Sequence, residues 1–432
     1  MTDHHVHTNL SPTIAALGLG AFVTSTVGEE ITTFDYGHFN GYPFTIDPNL
    51  PTGGSTDWGK AAPPGQDFPS AGAFNATPAE VYALATAGAR STPDTTIQIN
   101  HIDSHFLPLK IDTSVAGPIG DGMNDAERAG RRLPSTGDVA NLFYAFPALE
   151  LWNGADRAQQ ENFLLERIGI WFNHLNKGLR ATAISDTDTH TFGDLETAGA
   201  RTWTAASTDL VPGIDGGEVA RSVEAGRAVG GQGLYVQTRL TAASTGEVAD
   251  LTLGGSTDLT TTDGVVNLEI RVQAGLWAQF DRIEVYANGL PAPDAKGNVS
   301  PFLFSADTPA VTLLEGDCNP ATLDAVDGGQ FDIAPVNVHP SVPGAQRQEV
   351  TVDVPFTGLT QDTWFAVVVR GTDGVCQPMF PVYPRSLATV GNTTLANLLD
   401  GNVGESGTMA LGVANALYAN VDGEAGFQPP NP

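Results

Sequence analysis

Apolar and polar residues alternate strictly between Val266 and Gln273, with Val266, Leu268, Ile270 and Val272 set against Asn267, Glu269, Arg271 and Gln273. Val350, Val352, Val354 and Phe356 repeat the pattern against Thr351, Asp353 and Pro355. A period of two sends every apolar side chain to one face of an extended chain, so both stretches predict half-buried strands. Asp281 to Ala287 and the nearly continuous apolar run Trp364 to Arg370 predict two more. Turn residues separate them at Thr262-Asp263-Gly264, Ala287-Asn288-Gly289 and Thr372-Asp373-Gly374. Short alternating strands between such turns predict an all-β sandwich over 234–385, interrupted by a long polar excursion from Asp294 to Gln346. Residues 386–432 lack strong periodicity and are expected as an extension packing back on the body.

Before Gly233 the rhythm is mixed. Thr77-Pro78-Ala79-Glu80 is a capping box with proline at the first helical position, and it predicts a helix over Val81 to Arg90. Thr95 to Asn100 reads as a strand that ends at His101. Apolar residues Phe163, Leu164, Ile168, Trp171, Phe172 and Leu175 fall at helical spacing within Asp156 to Lys177, and Gly178 supplies the stop. Ala181 to Ser185 is a short strand, and Asp215 to Gly226 a last helix. Alternating strands and helices predict an α/β domain over 1–233 that carries its chemistry at the C-terminal ends of its strands.

Composition narrows the function. Acidic residues outnumber basic ones 49 to 20 for a formal charge of −29. That field repels phosphate backbones and anionic lipid, which argues against nucleic-acid and membrane-surface partners; a small-molecule substrate is instead what an enzyme reading of the chain implies. No apolar run reaches the ~18 residues needed to span a bilayer. Only 16% of residues are charged, with 49 glycines and 29 prolines. This suits a loop-rich exported protein, so a periplasmic or extracellular location is expected. Cys318 and Cys376 lie far from most of the histidines and are either disulfide-linked or two free thiols.

The chemistry concentrates on histidines and carboxylates beside the predicted strand ends. His4, Glu30, His38, His101, Asp188 and His190 are candidate metal ligands, because imidazole suits zinc, iron or manganese and a carboxylate can bridge two ions. Asp188 and His190, on alternate residues of an extended turn, can point into one cavity. His5 and His7 read as polar loop residues. His174, inside a predicted helix, and His339, inside the sandwich region, are expected away from the site.

Thr2-Asp3-His4, Val27 to Thr33 (with Gly28-Glu29-Glu30), Gly37-His38-Phe39-Asn40, Ala148 to Asn153 and Ser185 to His190 together resemble the PHP (polymerase and histidinol phosphatase) metallohydrolases. Within that family they resemble the carbaryl-hydrolase-like branch. The resemblance covers about residues 2–240. It implies a distorted (β/α)7 barrel followed by the sandwich, and two or three divalent ions (Zn, Mn or Fe). It makes His4, His38, His101, Asp188 and His190 ligands and Glu30 the bridging carboxylate, with the adjacent Glu29 as the alternative, and it puts Glu30, Asp188 and His190 closest to the chemistry. Asn40, Glu150 and Asn153 become candidates to support the ligands or face substrate. One departure is that Ile102 follows His101 where the family usually has proline.

A larger departure concerns the start of the pattern. The family opens with a His-x-His pair on a strand upstream of Thr-Asp-His, whereas only Met1 and Thr2 precede Asp3 here. The chain therefore reads as N-terminally truncated, with one metal position short of ligands, and an upstream His-x-His is expected in the same frame. The implied activity is hydrolysis of ester, carbamate or amide bonds by a metal-activated water. A PHP-type phosphoesterase and a non-catalytic surface-binding protein with a relic barrel are the alternatives.

Overall fold

The structure, a computed structural model, describes residues 1–33, 36–59, 76–105, 111–112, 120–121, 123–130, 145–153, 157–189, 199–211, 213–275, 277–288, 311–313, 318, 336–337, 346–372, 375–376, 379, 409–421 and 423–430. His190, His339 and most of the expected 294–346 excursion lie outside them. The chain forms two compact units that interleave along the sequence. The first comprises 1–150, 179–182 and 204–225, and the second comprises 151–178, 183–203 and 226–432.

Four strands organise the first unit: β1 (Thr2–His4), β2 (Gly28–Thr32), β3 (His38–Phe44) and β4 (Ser91–Ile99). β1 runs parallel to β2, while β2–β3 and β3–β4 are antiparallel. β4 then pairs in parallel with the strand beginning at Ala148, matching Gln98 to Ala148 and Ile99 to Leu149. The antiparallel steps depart from a regular β/α barrel. Five residues separate β2 from β3, too few for the dozen or more that a parallel crossover needs. No pairing among the described residues closes this sheet into a barrel.

Alternation gives the sheet two unlike faces. Ile31, Phe39, Ile97, Ile99 and Leu149 are fully buried on one of them, where Phe146 stacks on Phe39 at 5.3 Å. The helix Pro78–Ala87 buries Val81 and Ala85. Its capping box forms as the sequence implies, with the Thr77 and Glu80 side chains each accepting from the other's backbone N–H. On the other face the register aligns His4 with Glu30, Glu30 with Asn40, Thr32 with His38 and Asn40 with Gln98.

The second unit contains two sheets around one apolar core. The first sheet runs Val311–Leu313, Arg282–Ala287, Thr363–Arg370, Leu411–Asn420, Ala228–Gln232 and Ala200–Thr204, with Asp258–Thr260 added beside Leu411–Asn420. The other runs Val248–Asp250, Leu234–Thr241, Val266–Gly275, Gln346–Phe356 and Val336–Asn337. Leu268, Ile270, Val272, Val350 and Val352 of one sheet meet Ile283, Val285, Val367, Val369 and Leu417 of the other in a single core. Ile270 is fully buried there. Ile270→Ala is expected to lower the unfolding free energy by about 2–5 kcal/mol, read by urea denaturation; a loss under about 0.5 kcal/mol would count against this packing.

The expected extension over 386–432 does not describe its middle. Leu411–Asn420 is an inner strand with every residue buried. Its small side chains explain both facts, since a Cβ added at Gly412 would come within 2.6 Å of Val236 Cγ2. A strand buried on both faces shows no alternation. The helix Arg157–Asn176 also falls in the second unit, not with the 1–233 domain in which the sequence places it. Phe172 packs on Trp364 and Tyr286 at 4.8 and 5.0 Å, and Trp364 Nε1–H donates to Asn176 at 2.8 Å. Cys318 and Cys376 form a disulfide.

Candidate metal centre

The first unit's polar face gathers His4, Glu30, His38 and His101. His4 ends β1, Glu30 lies inside β2, and His101 follows β4 with a left-handed φ of 49°. Non-glycine residues adopt that region rarely and concentrate at functional sites when they do. His38 departs from the expected placement at strand C-termini. It starts β3, and the antiparallel turn of that strand brings its N-terminal end beside Thr32.

Glu30 is the hub, with its two oxygens facing different imidazoles. Oε1 lies 2.8 Å from His38 Nδ1 and 4.0 Å from His101 Nε2. Oε2 lies 3.6 Å from His4 Nε2. The donor atoms of Glu30, His38 and His101 all fall within 4.8 Å of one another. Two ligands of one zinc ion can be no further apart than about twice the 2.0–2.2 Å bond, roughly 4.4 Å, so this set needs little or no adjustment. Glu30 Oε1 and His38 Nδ1 are both buried at this close approach.

The supporting contacts fix the rings. Glu150, fully buried, accepts from His101 Nδ1 at 3.2 Å. A carboxylate in that position holds the proton on Nδ1 and leaves the Nε2 lone pair facing Glu30. Thr32 Oγ1 contacts His4 Nδ1 and can act likewise. Burial opposes ionisation of Glu30, but the close His38 ring and the fields of His4, His38 and His101 outweigh it, holding the carboxyl below its usual range.

Glu29 points to the sheet's other face. It is fully buried, contacts His7 Nε2 at 3.1 Å and accepts from Thr56 N–H at 2.9 Å. His7 lies outside the strands, as the sequence implies, but its ring is buried and not solvent-facing. It is only 3% exposed and stacks on Phe44 at 4.8 Å. His5 is partly buried and accepts a hydrogen bond from Trp58 Nε1–H at 3.1 Å. Neither Thr32 nor Trp58 is singled out by sequence reasoning. Thr32 was reachable, because it lies two residues from Glu30 on the same strand face; Trp58 was not.

Asp188 belongs to the second unit, where Asn153 donates to it at 3.3 Å and Arg167 donates to Asn153 at 3.0 Å. Its φ of 45° is also left-handed. His190 is outside the described residues. His174 is fully buried in its helix, with Nδ1–H donating to the Ile170 carbonyl at 3.0 Å. Among the described residues no helix is long and apolar enough to cross a membrane. No family model and no curated protein matches the chain.

Proposed function

We propose that the chain is a metal-dependent hydrolase acting on ester, carbamate or amide bonds of a small-molecule substrate. Glu30 is the shared carboxylate, and His4, His38 and His101 are imidazole ligands. The observation that carries this reading is the convergence of the Glu30, His38 and His101 donor atoms within 4.8 Å of one another, with Oε1 of Glu30 2.8 Å from Nδ1 of His38. A divalent cation placed among these donors would take a lone pair from each of them. When bound, a divalent ion supplies Lewis acidity and lowers the pKa of a coordinated water toward about 7.

The remaining roles belong to this chain's own groups. Glu150 keeps His101 in the ligating tautomer, and Glu30 presents one oxygen to each side of the site. Asp188 and His190 enter as further ligands on the resemblance to PHP metallohydrolases, as do the second and third ions and the barrel. The imidazoles suit zinc or iron, and the carboxylate admits manganese. Export is part of the same proposal, supported by the disulfide, which persists in oxidising compartments.

The acidic balance of 49 to 20 weighs against phosphate esters. Purified protein is expected to retain at least about one equivalent of zinc, manganese or iron, as four nitrogen and oxygen donors require, and to cleave p-nitrophenyl esters and carbamates in preference to p-nitrophenyl phosphate. Elemental analysis and a substrate panel read both. Failure to bind any of the three metals after reconstitution rejects the proposal, and preferential phosphate cleavage replaces it with the phosphoesterase.

A further inference from the structure

His5 follows a proposed ligand, but its ring is engaged differently. Its backbone N–H donates to the Glu30 carbonyl at 3.1 Å, which ties the residue to the strand carrying the shared carboxylate. Its φ of 54° is left-handed, a conformation that persists in a non-glycine residue only where neighbours hold it. The holding contact is Trp58, whose indole N–H donates to His5 Nδ1 at 3.1 Å with the two rings 5.5 Å apart. The His5 ring lies 6.3 Å from that of His4.

An indole nitrogen can only donate, so His5 Nδ1 must offer a lone pair. That excludes the imidazolium, in which both nitrogens donate, and places the proton of the neutral ring on Nε2. A protonated Nε2 has no lone pair for a metal. His5 is therefore fixed as a hydrogen-bond donor beside the ligand cluster, and its Nε2 has no partner among the described residues.

The placement of Trp58 is itself built. Thr56 N–H donates to Glu29, His7 contacts the same carboxylate, and His7 N–H donates to the Thr52 carbonyl at 2.9 Å. Gly53 has a φ of 73°, and a Cβ there would meet His7 Cβ at 3.0 Å, so the segment seats directly on His7. One face of β2 thus carries the proposed ligand Glu30, and the other carries Glu29, the clamp for the segment that delivers Trp58.

We propose that His5, held as the Nε2–H tautomer by Trp58, donates a hydrogen bond to the substrate's carbonyl oxygen and stabilises the charge that develops there. Trp58 is a positioning residue. This deepens the hydrolase reading and rests on it. Water oxygen bonds to the carbonyl carbon, and the C=O π pair moves onto the oxygen that His5 contacts. On collapse the bond to the leaving group breaks with its electron pair, and a proton from the water goes to that group. His5 keeps its proton throughout.

The test uses the zinc-reconstituted full chain with His5→Ala, His5→Gln and Trp58→Phe. Zinc content, kcat and KM on p-nitrophenyl acetate, and 15N-histidine NMR of the ring nitrogens are measured. His5→Ala is expected to keep its zinc and lose kcat about 100-fold with KM little changed, as for removal of one oxyanion donor. His5→Gln restores an N–H donor and should recover roughly tenfold of that loss. Trp58→Phe should give an intermediate kcat and a mixture of tautomers. Loss of zinc in His5→Ala, an unchanged kcat, or a proton found on Nδ1 overturns the inference. Failure of the hydrolase reading looks different: wild type then binds no zinc or cleaves no ester. The tautomer and the shift of the His5 Nε2–H signal on titration with acetate then decide the donor role, and a signal that does not move rejects it.

Discussion

Glu30→Gln is expected to abolish detectable hydrolysis and to cut zinc affinity more than any other single substitution in the first unit. Both oxygens of Glu30 face imidazoles, Oε1 toward His38 and His101 and Oε2 toward His4. An amide keeps the shape but replaces one oxygen with a donor and removes the negative charge, so it opposes any cation placed among these rings. Thermal melts provide a readout independent of turnover. A ligand that binds only the folded state at about 100 times its Kd stabilises by about 2.7 kcal/mol. Wild type should melt higher as zinc is added, while Glu30→Gln should not respond. Glu150→Gln is the graded control. It leaves His101 in place but weakens the partner that fixes its tautomer, which typically costs about 10–100-fold in affinity. Equal zinc-induced stabilisation of wild type and Glu30→Gln would remove Glu30 from the centre.

The strand that carries Glu30 could be only half read from sequence. Gly28-Glu29-Glu30-Ile31-Thr32 looks ambiguous, because two adjacent carboxylates compete for one role. A strand settles such ambiguity by parity: adjacent side chains leave opposite faces, so only one of them joins His4 and His38. Glu30 aligns with His4 and Asn40, and Glu29 turns to His7. The pairing of Thr32 with His38 needed only the short 33–37 connection, which forces an antiparallel turn. Trp58 and the clamp at Glu29 were not legible, since both depend on where a loop without periodicity comes to rest.

The second unit repeats this lesson in another form. Val266–Gly275 alternates because one of its faces is only partly covered, and its pattern announces a strand. Thr363–Arg370 and Leu411–Asn420 are buried on both faces. The first still reads as a strand from its valines, because β-branched residues favour extended chain. The second is built largely from glycine, alanine and leucine, which carry no such preference, so only its neighbours identify it. Helix Arg157–Asn176 shows the same limit. Its spacing gives its existence, but its assignment to the second unit rests on contacts of Phe172 and Asn176 with Trp364, which is 188 residues from Asn176.

His174 yields the strongest expected pH effect. It is fully buried, and burial pulls its imidazole down to about 4 against 6.5 in the open, the hydrogen bond to the Ile170 carbonyl only partly opposing this. The sign follows from proton counting. Below pH 6.5 the unfolded chain takes up a proton at this position, while the folded chain stays neutral until about pH 4. The unfolded state therefore binds more protons across that window, and stability falls as pH drops through it. At about 1.4 kcal/mol per pH unit the loss approaches about 3 kcal/mol over the window between these two values. His174→Gln should retain a donor for Ile170 and lose the titration, at some fixed cost in packing. Urea unfolding of the second unit at a series of pH values should accordingly be steeper in its pH dependence for wild type than for His174→Gln, the difference opening only below pH 6.5. Parallel curves for the two proteins from about pH 7 down to about pH 4 would show that His174 protonates as readily in the folded chain as outside it, and its sealed position in the helix would be wrong.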